Sequence, residues 1–392
     1  MTRAAFHPSP PRDLTIPDLD STTARAVWSM ALRKLFEDLK TLRAPRGASP
    51  AAIEDWRTFR RVVSGFLPGR PGAVASLLRR PVVSAPLRCL RDGATPADEA
   101  IAEVVGQGLF ELALAGALDA EHVLRAPPPF LSAPHRDAHV DLAGAREVRL
   151  GPAGVRVDGA PATPTRGRYH VIADDVVLAT VDNNPLRDRE AHPDKQGNAV
   201  DLGGRAPAEW VDALRDALAR LGAQLPTFRD EVRLVLQQVV PVGFDARAHL
   251  SASYREALGT IYLSLHPRPL TMVEALIHEV SHNKLNALLE LDPLLHNAFE
   301  PLYPSPVRPD PRPLLGVLLA VHAFLPVARF YERLLAGPDE ALPGPRAAVE
   351  RRFEAIRAQN RDGAAVLAAH AEATPVGDGV LDEIARWTAH FA

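Results

Sequence analysis

ALIHEVSHNKL, residues 275–285, decides how the rest of this chain is read. On an α-helix, residues four apart lie about 40° apart around the axis, so His278 and His282 aim at one point. Two neutral imidazoles placed this way suit a Zn, Fe, Cu or Ni ion. Glu279 is turned by about 100° from His278 and leans toward the open side of such an ion. The flanking Val273, Leu276, Ile277, Val280, Leu285, Leu288 and Leu289 are apolar, which makes this a core helix rather than a solvated one. Glu274, one turn before His278, is a candidate partner for a ligand histidine. The expected metal helix spans 270–291.

Two histidines leave a catalytic metal site one protein ligand short. RPLLGVLLAVHAFLPVARFYERLL, residues 312–335, predicts a second apolar helix with His322 at its middle and a kink at Pro326. A histidine there is either a core residue bonded to a neighbour or the third ligand, and we take it as the ligand. His296 and Glu300 are the rivals. Glu300 stands 18 positions after His282, close to a zinc aminopeptidase's spacing. It lies, however, in the proline-broken FEPLYPSPVRPDPRPLL, which reads as loop.

The chain around this pair of helices has 392 residues and 46% hydrophobic content, enough for a sizeable core. Its net charge of −3, with both signs interspersed, gives no reason to expect a nucleic-acid or membrane partner. A single cysteine, Cys89, excludes an intrachain disulfide and a thiolate cluster. The first residues lack the apolar segment of a secretory signal, so a cytoplasmic location is expected. TTARAVWSMALRKLFEDLKTL and PADEAIAEVVGQGLFELALAGAL read as helices, the second buried on most faces. RAPPPFLSAPHRD (125–137) reads as a linker. REVRLGPAGVRVDG and RYHVIADDVVLATVDNNP read as hairpins, the second turning at Asp174-Asp175. Helices return at 207–222 and after Pro343. The expected fold is α+β and mainly helical: an N-terminal helical region (1–125), then a catalytic domain (126–392) with a zincin-like metal helix beside a small antiparallel sheet.

With these residues in view, the run IHEVSHNKLNALLELDPLL and then YPSPVRPDPRPLLGVLLAVHAFLPVARFYERL resembles the HExxH-type peptide β-hydroxylases that tailor ribosomally made natural products. The likeness covers about residues 253–335 and includes an R-x-D-x-R-P frame at Arg308, Asp310, Arg312 and Pro313. DNNPLRDREAHPD (182–194) is similar in a less specific way. The resemblance implies Fe(II) as the metal, 2-oxoglutarate and O2 as co-substrates, and hydroxylation of a β-carbon in a precursor peptide. Such an iron needs three protein ligands on one face, which His278, His282 and His322 can supply. Arg308 and Arg312 are the candidates to hold the keto acid's far carboxylate, since guanidinium grips carboxylate in a bidentate way. Glu279 is the catalytic carboxylate, its role open between ligand, proton carrier and water-positioning group. GTIYLSL (259–265), read as an edge strand, would pair with the extended substrate peptide. A homodimer is left open. The alternative is a zinc metallopeptidase with Glu279 as general base and Glu300 as third ligand.

Overall fold

The computed structural model describes residues 8–189, 191–192, 195–305 and 310–392. It is mixed α+β and 52% helical. The helices are α1 (Thr23–Thr41), α2 (Pro50–Phe66), α3 (Pro71–Arg79), α4 (Pro81–Asp92), α5 (Ala97–Leu114), α6 (Pro207–Gln224), α7 (Pro226–Val235), α8 (Pro269–Leu289), α9 (Leu314–Leu335), α10 (Arg346–His370) and α11 (Pro375–His390). Many of the chain's prolines do not sit in loops. Pro50, Pro71, Pro81, Pro207, Pro226, Pro269 and Pro375 each open a helix, where the missing N–H is not needed and φ is already helical.

Two large cores share α1. Val27, Trp28 and Ala31 face the core around α6, α8, α9 and α11, and Leu35 and Leu39 face the core of α2–α5. The second core runs on through Leu131, Val140, Val148 and Val155. Residues 125–137 are therefore not a linker. Between Pro129 and Pro134, Phe130–Ala133 forms a strand that pairs antiparallel with Ala138–Asp141. Gln107 of α5 clamps that strand, donating to Phe130 O at 2.8 Å and accepting from Ser132 N at 2.6 Å. Gly106 and Gly108 let α5 approach so closely: a Cβ would lie 2.6 Å from the Pro128 ring at the first and 2.6 Å from the Phe59 ring at the second.

The sheet beside α8 has five strands, in the order Ser251–Ala252, Thr260–Leu265, Gln238–Phe244, Val176–Ala179, Tyr169–Ala173. Its centre is parallel and only its two rims are antiparallel. This corrects the expected small antiparallel sheet. Parallel neighbours need a crossover, and α6 and α7 supply it between the 176–179 and 238–244 strands. The 260–265 strand is also not an edge. All six of its residues are buried and both its sides are paired, by the 238–244 strand and by Ser251–Ala252, so a substrate peptide finds no free side there. Ile261, Leu263 and Leu265 face the core that contains α8. Tyr262 faces away, donating to buried Asp182 at 2.8 Å and accepting from Asn184 at 3.0 Å, so the DNNP segment fastens the far side of the sheet.

Both hairpins form at the expected turns, with Gly151 opposite Gly154 and Asp174 at φ 46°. α9 continues through Pro326. It is long and apolar enough to cross a bilayer, with a mean hydropathy of 1.8 over an 18-residue window, yet 72% of that window is buried. It is a core helix packed on α8 and α10. Cys89 is buried in α4, and burial, with Glu256 and Asp92 nearby, pushes its thiol up to about 12. Residues near the two ends of the chain meet. Glu383 of α11 accepts from Leu14 N at 3.0 Å and Thr15 N at 2.8 Å, and Lys284 of α8 donates to Thr15 O at 3.4 Å.

Candidate metal centre

The 260–265 strand delivers the chain to α8 through a tight corner. His266 Nδ1 accepts from Arg268 N at 3.0 Å, and Pro269 starts the helix. Two turns on, the Nε2 atoms of His278 and His282 lie 2.8 Å apart with their rings nearly perpendicular, at 84°. The donor atoms of His278, Glu279 and His282 all lie within 4.8 Å of one another. Burial lowers the pKa of His278 well below its ordinary value, and the charges of His282, His249 and Arg352 add to this. Burial alone brings His282 to about 4. Both imidazoles are therefore neutral at pH 7, the state that ligates a metal. Their Nδ1 atoms are buried and, among the described residues, have no hydrogen-bond partner. Phe324 of α9 packs on the His278 ring at 4.6 Å.

Glu279 is held from the sheet. Ser251 Oγ donates to its Oε1 at 2.6 Å. The register explains this. Ser251 lies opposite Leu263, whose side chain faces the core that contains α8, so Ser251 faces α8 as well. His249 stands two residues earlier, on the same side of the chain, and lines a cavity of about 1010 Å³ together with His278 and His266. Sequence reasoning missed both His249 and Ser251. A two-residue strand carries no readable alternation, and the His-x-Ser spacing is its only trace.

His322 is fully buried on α9, and among the described residues neither of its ring nitrogens has a partner. Burial lowers its pKa well below the usual value, with the charges of Lys284 and His282 adding to the effect. It faces α8 but lies outside the closely spaced set of His278, Glu279 and His282. The rivals His296 and Glu300 are exposed and also outside it. Lys284 turns away into an ion pair with Glu231 at 2.5 Å. Glu274 does not support a histidine. It forms a bidentate pair with Arg352 and accepts from Tyr331 OH.

Arg312 does not reach the cavity. It is 38% exposed, 3.5 Å from Asp310, on the short pairing of Arg312–Pro313 with Leu302–Tyr303. Arg308 lies outside the described residues. The arginines that do line the cavity are Arg247, Arg268, Arg351 and Arg352. Tyr303 stacks on His370 at 4.6 Å, and Glu332 pairs with Arg329 and His390, all away from the site.

Two neutral imidazole nitrogens that converge, with a carboxylate beside them, form a donor set that fits a first-row divalent metal. The orphaned nitrogens of His322 fit the same conclusion. A buried imidazole nitrogen left unpaired costs about 1–3 kcal/mol, which a bound metal would offset. No protein-family model matches this chain and no curated protein aligns with it.

Proposed function

We propose that the chain is an Fe(II)- and 2-oxoglutarate-dependent oxygenase that hydroxylates a β-carbon in a residue of a ribosomally made precursor peptide. The observation that carries this reading is the convergence of His282 with His278, which stands on the wall of a cavity lined by four arginines. Their Nε2 atoms would hold the iron, with His322 joining from α9. Bound iron would supply the centre at which O2 and the keto acid react. The chain's own residues do the rest. Ser251 fixes the Glu279 carboxylate by a hydrogen bond. Phe324 packs against the His278 ring and limits its movement. Half-buried His278 and His282 stay neutral, so no proton has to leave before the metal enters.

The zinc-peptidase reading draws less support. It needs a third ligand at Glu300, which is exposed and outside the set, and a general base at Glu279, whose Oε1 already accepts a hydrogen bond. The test is to add Fe(II) and 2-oxoglutarate to the protein without oxygen and record the visible spectrum. A weak charge-transfer band, lost in His322→Leu and kept in Glu300→Gln, is expected. Tight zinc binding with no 2-oxoglutarate uptake, and peptide hydrolysis that needs Glu300, would overturn the reading in favour of the peptidase.

A further inference from the structure

The cavity beside His278 has a charge the rest of the chain does not predict. The protein as a whole carries −3, but the cavity wall holds four arginines and one carboxylate, Glu274. That carboxylate is already committed to Arg352, which grips it through both Nε and Nη2. Arg247, Arg268 and Arg351 are left. All three are exposed, and among the described residues none has an ion pair or a side-chain hydrogen bond. They come from three separate elements: the loop before Ser251, the residue that precedes α8, and the first turns of α10. Three unpaired guanidinium groups from distant parts of the sequence thus surround one opening with His278 on its wall.

We propose that this opening docks an acidic segment of the substrate peptide, with Arg247, Arg268 and Arg351 pairing with carboxylates that flank the reacting residue. The proposal rests on the oxygenase reading for the meaning of the word substrate, but not for the binding itself. A planar guanidinium matches a carboxylate in a bidentate way, and exposed arginines lose little hydration in making the pair. A volume of about 1010 Å³ is also large for a five-carbon keto acid and suits several residues of chain. The same charges would steer an acidic peptide toward the opening, so its binding should weaken with salt.

The experiment uses the full chain without iron or 2-oxoglutarate. The probes are fluorescein-labelled decapeptides of alternating Ala with Glu, Gln or Lys, followed by anisotropy in low salt. The Glu peptide is expected to bind at least about tenfold tighter than the Gln peptide, an advantage of about 1.4 kcal/mol that shrinks as salt rises. R247E/R268E/R351E is expected to reverse the order in favour of the Lys peptide. The milder R247Q/R268Q/R351Q should abolish the preference, and an unchanged thermal melt would show that both variants are folded. Equal binding of Glu and Gln peptides, or a Glu preference that survives in the reversed variant, overturns the proposal. So does complete displacement of the Glu peptide by 2-oxoglutarate but not by chloride of equal ionic strength, which would assign the arginines to the co-substrate. Failure here leaves the iron spectrum untouched, and failure of the iron spectrum leaves this peptide preference untouched, so the two readings fall separately.

Discussion

The two halves of α8 handle buried polarity in opposite ways. Beyond His282, the buried side chains of Asn283 and Lys284 have structural partners. Asn283 accepts from Gly259 N at 2.7 Å and donates to Glu279 O at 3.0 Å. Lys284 pairs with Glu231 and lies over the Phe228 ring at 4.6 Å. Just past the helix, Glu290 is held by Arg88 and Arg91. Before that point, His278 and His282 turn their Nε2 atoms toward each other and leave their Nδ1 atoms without partners. A fully paired buried group fastens one element to another. An unpaired one is a standing cost that a bound group would offset.

The largest effect should come from the paired half. Lys284→Met leaves the Glu231 carboxylate buried and alone, a loss of about 3–5 kcal/mol in urea unfolding, while adding Glu231→Gln restores most of it. Comparable loss in the single and double variants would break the contrast.

Glu290→Gln should cost about 3 kcal/mol at pH 7. Its pH dependence has a definite sign. Burial alone would raise this carboxyl, but Arg88 and Arg91 outweigh it and hold it at about 2, below the ordinary 4.5. A depressed carboxyl stabilises the fold above its unfolded pKa and loses that contribution as pH falls from about 4.5 toward 2. Unfolding midpoints of native protein and variant should therefore converge below about pH 3.

The unpaired half should behave in reverse. His278→Ala or His282→Ala should lower metal affinity by more than about 100-fold by calorimetric titration, about 2.7 kcal/mol. The metal-free protein's stability should change less than for Lys284→Met. His322→Leu sharpens the comparison. Replacing an unpaired imidazole by an apolar group of similar size should leave the metal-free protein as stable or raise it by about 1 kcal/mol, and should weaken the metal by about 10–100-fold. Unchanged metal affinity would return His322 to the core. The smallest effect is Ser251→Ala. It removes one hydrogen bond from Glu279 and should lower turnover by about tenfold, or about 1.4 kcal/mol, with metal affinity retained.

Much of this contrast was legible before any coordinates. The apolar run around 275–285 gave a helix within a residue or two of α8, since nothing competes with a 3.6-residue period in a core helix. Both hairpins were readable from alternation and turn residues. Strand neighbours were not, because alternation says which face is buried and nothing about which strand lies alongside. That is why the parallel centre of the sheet and the enclosed place of the 260–265 strand came only with the fold. Four prolines hid the 130–133 strand. Of the site, His278, Glu279 and His282 follow from one helix turn. Ser251, His249 and the arginines of the cavity come from separate loops and helices, and only tertiary packing brings them together. Glu274 had the right helical phase to serve His278 but a stronger partner in Arg352.

The contact of residues 14–15 with Glu383, while Thr15 also meets Lys284, ties the scaffold under α8 to a helix far along the chain. The strap and the helix that receives it lie 368 and 369 positions apart. Closing so wide a loop must wait until α11 has left the ribosome. A nascent chain already carrying both histidines would hold α8 against Glu231 but without its strap.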